Sequence, residues 1–120
     1  MTILSTVALH RNSNRNDGPH HLCEIWGKGE DGLFKYGISD DPIEADNLSD
    51  RIRDQLYFLN LSAGWVRYIG RIIQKDIGGR VLAKQIGGDH IEAYIEKHGT
   101  RPRGNPPRRK SKFDPLFPEN

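Results

Sequence analysis

Apolar positions along the chain change period several times, and each change marks an element. The runs HLCEIW (21–26) and LFKYGIS (33–39) are rich in β-prone residues and flank the Gly-rich turn GKGEDG, the pattern of a β-hairpin. The acidic stretch DDPIEADNLSD follows, where Pro42 argues against a strand. Leu48, Ile52, Leu56 and Leu59 then recur at helical spacing. They predict a helix over 48–59, with Asn47 or Ser49 as N-cap and Asp50 in the first turn. WVRYIGRII (65–73) reads as a third strand from its β-branched and aromatic content. Asp76 is the expected cap of a second helix bearing Ile77, Val81, Ile86, Ile91, Tyr94 and Ile95, closed by His98 and Gly99. The order β-β-α-β-α predicts a small α+β domain, an antiparallel three-stranded sheet flanked by helices.

Local punctuation sets the expected boundaries. Residues 1–19 lack sustained periodicity and end in Asn-Asp-Gly-Pro, as expected of a leader or the remains of a linker. The domain proper is expected over 20–105, and 106–120 form a basic, Pro-rich tail. From Arg101 to Lys112 there are six cations and no acid. The overall formal charge is only +2, so the cluster is more informative than the sum.

With 35% hydrophobic and 28% charged residues, wholesale disorder is not expected. A lone cysteine, Cys23, excludes a disulfide framework within the chain. No window approaches a membrane span, and no basic region precedes the first apolar run, so no signal peptide is read. One local conflict remains. Gly78-Gly79 and Gly87-Gly88 fall in or near the second helix, where an interior glycine costs about 0.8–1.0 kcal/mol relative to alanine.

Several spacings resemble the GIY-YIG (URI-type) nuclease superfamily, in particular the toxin-tip domains of bacterial polymorphic toxins. Lys35-Tyr36-Gly37-Ile38-Ser39 is similar to the second hairpin motif, with Gly37 at its glycine. Arg51 matches the arginine of the first helix, with Arg53 as the alternate, and Pro102-Arg103-Gly104-Asn105 matches the closing Pro-x-x-Asn. Arg80, Ala83 and Gly87 fit the segment that carries a metal-binding glutamate. The departures are Cys23 and Lys35 at the tyrosine positions and Gly87 at the glutamate.

The resemblance implies a metal-dependent endonuclease acting on DNA. Lys35 or Tyr36 would be the base, Arg51 the phosphate clamp, and Asn105 and His90 supporting groups. A divalent ion (Mg2+ or Mn2+) is expected only with a carboxylate at position 87, because hard cations need oxygen ligands. Gly87 would therefore leave the chain inactive or severely impaired, through an introduced or a natural change. Arg53, Arg80, Arg101, Arg103, Arg108, Arg109 and Lys110 are the expected nucleic-acid contacts. The resemblance also implies a larger secreted carrier upstream, a cognate immunity protein, and action in the recipient cell's cytoplasm. All of this requires Lys35 or Tyr36, Arg51, position 87 and Asn105 to converge on one pocket.

The same residues have plainer readings. Tyr36 also fits a packed strand aromatic, Arg51 and Arg53 fit surface ion pairs, and Asn105 fits turn chemistry. Trp26 and Trp65 are expected in the core. His20, His21 and Cys23 lack a second ligand pair at zinc spacing and read as a solvated loop end. Two other functions stay open: a non-catalytic nucleic-acid-binding module, and a ribonuclease on the same scaffold.

Overall fold

The computed structural model describes residues 13–29 and 32–107. Most of the expected leader and the cations Arg108, Arg109, Lys110 and Lys112 lie outside the described residues. The elements are β1 (Pro19–Gly27), β2 (Gly32–Ser39), α1 (Asp50–Ala63), β3 (Tyr68–Gly78) and α2 (Arg80–His98). The strands form one antiparallel sheet in the order β2-β1-β3. This is the α+β layout that the sequence pattern predicts.

Successive strand residues point to opposite faces of a sheet. The register pairs Cys23 with Gly37 and Glu24 with Tyr36 on one side of β1, and Cys23 with Ile72 and Glu24 with Arg71 on the other. Even-numbered β1 residues serve one face. Leu22, Ile77 and Ala83 form its core, with Tyr36, Ile38, Ile73 and Ile86 packed around them. Helix α2 lies on this face, and Gly87 comes down over Ile38 and Leu22. Odd-numbered β1 residues face α1. There Ile52 is fully buried, and Ile52 and Leu56 press on Gly70 so closely that a Cβ would meet Ile52 Cγ2 at 3.0 Å. Glycine at 70 therefore sets how near α1 lies to β3.

Several boundaries differ from expectation. Helix α1 starts at Asp50 and continues to Ala63, ending on Gly64 in the left-handed region at φ 80°. Ser49 is its N-cap by position, but its hydroxyl meets His21 Nε2 at 3.4 Å and makes no cap bond. Strand β3 begins at Tyr68, which leaves Trp65 56% exposed and outside the core. Asp76 sits inside β3 at φ 55° and caps nothing. Helix α2 instead follows Gly79, whose φ of 97° and close approach to the Asp17 backbone favour glycine. His20 and His21 are buried β1 residues, not a loop end. Residues of the expected leader also pack here, since the Arg80 N–H donates to the Asn16 carbonyl at 2.9 Å.

Candidate active site

Lys35 and Tyr36 are adjacent in β2, so their side chains leave the sheet on opposite faces. Lys35 joins the α1 face. Its Nζ donates to Gln55 Oε1 at 3.1 Å. Burial lowers its pKa below the ordinary lysine value, the charge of Arg51 lowers it further, and Cys23 opposes the shift. Cys23 is buried, and burial raises its thiol pKa against the pull of Lys35 and Arg51. Gly37 lies against this sulfur: a Cβ there would sit 3.3 Å from Cys23 Sγ. Arg51, at the start of α1, is held by its backbone N–H, which donates to Asp41 Oδ2 at 3.0 Å. Its exposed guanidinium makes no ion pair among the described residues. Lys35 and Arg51 are thus neighbouring cations, and the group that Lys35 bonds is a neutral amide.

Tyr36 joins the α2 face. Its ring lies 5.3 Å from that of His90. Burial raises the phenol pKa, and Glu24 and Tyr94 add to the effect. Position 87 is on this side too, against Leu22 and Ile38. The structure therefore separates the expected constellation: Lys35 and Arg51 stand on one side of the sheet, with Tyr36, His90 and Gly87 on the other.

Asn105 belongs to neither face. It sits on the outer edge of β2, where its Oδ1 accepts the Tyr36 N–H at 2.8 Å and its Nδ2 donates to the Tyr36 carbonyl at 2.9 Å. Gly104 N–H donates to the Phe34 carbonyl at 2.7 Å. A Cβ at Gly104 would come within 2.6 Å of the Phe34 ring, so only glycine fits. Pro102 is fully buried, and its carbonyl accepts the Asn105 N–H at 3.0 Å. Pro-x-x-Asn is here a clamp that covers an edge strand whose backbone groups would otherwise lie open.

Of the expected nucleic-acid contacts, four lie among the described residues, and three of these four are engaged within the domain. Arg53 is gripped by Glu44, Asp46 and Asp50, which ties the loop to α1. Arg101 Nε donates to the Asn105 carbonyl at 2.7 Å, and Arg103 lies over the Phe34 ring. Both brace the clamp. Arg80 has a buried Nε without a hydrogen-bond partner among the described residues.

The family model described as URI fold toxin 2 matches residues 13–99, more than half of the chain. The chain belongs to that family. No curated protein and no solved structure matches it. For a URI-fold toxin domain the metal question is immediate. Among the described residues no group of three His, Cys, Asp or Glu side chains could hold a metal ion. Gly87 has no donor, and its missing Cβ points at two aliphatic side chains. The described residues do not fit a divalent cation. No helix among the described residues is long and apolar enough to cross a membrane.

One group escaped the sequence reading. Glu24 is buried in β1, where its Oε1 accepts Trp26 Nε1 at 3.0 Å and Arg71 Nε at 2.8 Å. The signal was a carboxylate between Cys23 and Ile25 in an apolar run, since a buried acid needs a partner. Trp26, expected in the core, is half-buried at the wall of a cavity.

Proposed function

We propose that this URI-fold toxin domain is the nuclease tip of an antibacterial effector that hydrolyses phosphodiester bonds of DNA, with Gly87 keeping it far below full activity. The observation that supports the reading is the pair Lys35–Arg51. Two neighbouring cations that no carboxylate pairs among the described residues suit an anion, and a guanidinium grips phosphate oxygens with paired donors. Arg51 would hold the non-bridging oxygens and oppose the charge that builds on them. Lys35, made easier to deprotonate by burial and by Arg51, would accept a proton from the attacking water. The water oxygen bonds to phosphorus, the bond to the sugar oxygen breaks, and solvent protonates that leaving oxygen. Asn105 acts through the Tyr36 backbone, by holding β2 and so the position of Lys35.

The residues present do not fit a metal, so no step above uses one. A carboxylate at position 87 would supply an oxygen ligand for Mg2+ or Mn2+. Position 87 lies across the sheet from Lys35 and Arg51, and that separation is what the Gly87→Glu variant examines. A larger carrier, delivery into the recipient cytoplasm and a cognate immunity protein complete the proposal, on the strength of toxin-family membership.

The test is nicking of supercoiled plasmid by the chain, by Gly87→Glu and by Gly87→Glu/Arg51→Ala, with and without magnesium, beside a tRNA substrate. The expected result is nicking by Gly87→Glu that falls ~10²–10³-fold without the guanidinium, and a requirement for magnesium as well would mean that position 87 acts on the same phosphate from across the sheet. Nicking that ignores Arg51 would remove the proposed clamp. Cleavage of tRNA alone would make the domain a ribonuclease, and DNA retention with no cleavage by any variant would make it a binding module.

A further inference from the structure

Across the sheet from Lys35, the α2 face contains a cavity of about 550 Å³ lined chiefly by Trp26, Tyr36, His90, Tyr94, Lys97 and His98. Its volume falls in the range of small-molecule sites, about 300–1,000 Å³. Five of these six residues carry planar rings: the indole of Trp26, the phenols of Tyr36 and Tyr94, and the imidazoles of His90 and His98. They are held in place by one another. Tyr36 and His90 meet at 60°, and Tyr94 and His98 lie 4.2 Å apart at 33°. Trp26 is fixed by its Nε1, which donates to Glu24, itself anchored on Arg71.

The polar groups at the wall are defined as well. His90 Nδ1 lies 2.9 Å from the Ile86 carbonyl, which can only accept, so Nδ1 carries a proton, and in the neutral ring Nε2 is the acceptor. The Tyr36 phenol, raised in pKa by burial, then Glu24 and Tyr94, stays protonated and can donate. Neither Nε2 of His90 nor the phenol oxygens of Tyr36 and Tyr94 has a protein partner among the described residues. Lys97 offers a cation at the same wall. Flat apolar walls, a donor beside an acceptor and one cation match a planar heterocycle that carries a phosphate.

We infer that this cavity is a nucleotide site that receives an unstacked nucleobase between its aromatic side chains, separate from the Lys35–Arg51 clamp. The base stacks on the rings, its polar edge meets Tyr36 and His90, and its phosphate faces Lys97. Stacking on aromatic side chains is how proteins hold bases of single strands without reading their order. The base can come from a free nucleotide or from a single-stranded nucleic acid, and the chemistry is common to both.

The test titrates AMP, and separately a twelve-nucleotide oligo(dT) and its duplex with oligo(dA), into the Trp65→Phe chain while following Trp26 fluorescence. Quenching by AMP or by the single strand, but not by the duplex, is expected. Tyr94→Leu, which removes a ring and keeps apolar bulk, should weaken binding about 5- to 100-fold. Ala93→Phe, which fills the cavity from α2 without adding a tryptophan, should abolish it, and melting curves of both variants confirm folding. Tyr57→Leu on α1 should change nothing. Binding of AMP alone identifies a free nucleotide, and binding of the strand identifies nucleic acid. No quenching by either, or quenching indifferent to both Tyr94→Leu and Ala93→Phe, overturns the site. Plasmid nicking is measured in parallel: nicking without nucleotide binding sinks this site alone, and binding without nicking sinks the catalytic reading alone.

Discussion

The two faces of the sheet handle charge in opposite ways. On the α1 face, burial and the charge of Arg51 disfavour the charge on Lys35, and Lys35 bonds only the neutral Gln55. On the α2 face the buried charge is balanced, because Glu24 is matched by Arg71 and braced by Trp26. The first arrangement is relieved when an anion arrives or a proton leaves. The second is satisfied already and serves to fix rings around a cavity. An uncompensated cluster is the stronger sign of chemistry, and a compensated one beside a cavity is the stronger sign of recognition.

The largest test of the contrast is its shared support. Leu22 is fully buried at the centre of the α2-side core, and Leu22→Ala should cost about 2–5 kcal/mol by chemical denaturation. Loss of the α2-side cavity with the α1 side still ordered would show that the faces unfold separately. Next is the edge clamp. Asn105→Ala frees the Tyr36 N–H and carbonyl and should cost about 1–3 kcal/mol. It should slow cleavage by shifting β2 under Lys35. Unchanged stability would mean that the clamp does not hold the strand in solution.

A smaller effect comes from Lys35 itself. Its folded pKa is below the unfolded value, so between the two the unfolded chain binds more protons and stability rises with pH. Any cleavage that uses neutral Lys35 should rise as pH passes through the folded pKa and level off above it. Lys35→Met should flatten both profiles, as followed by thermal melts and plasmid nicking across pH. The smallest effect is on α2. Gly88 has open space where a Cβ would go, so Gly88→Ala should stabilise the chain by up to about 0.8–1.0 kcal/mol in a melting experiment. It should leave Lys35 and Arg51 untouched. A loss of stability there would mean that the glycine serves the helix in a way its surroundings do not show.

Much of this could be read from the chain before any coordinates. The alternation in HLCEIW and LFKYGIS, the spacing of Ile52, Leu56 and Leu59, and the Gly99 stop are local signals, and they produced the right elements in the right order. The same alternation already implied that Lys35 and Tyr36 could not share a pocket, because a strand turns neighbours to opposite faces. Helix α2 was harder. Asp76 looked like a cap, but β3 runs through it, because pairing with β1 out to Pro19 outweighs the local preference.

What the sequence determined by itself is the fold class, the family pattern and the identity of each chemical group, since all of these depend on residues close together in the chain. What only the tertiary structure decided is how those groups are shared out. Asn105 meets Tyr36 across 69 residues, Arg71 meets Glu24 across 47, and both depend on which strand ends beside which. Register and the approach of helices to the sheet are long-range properties, and no local spacing encodes them.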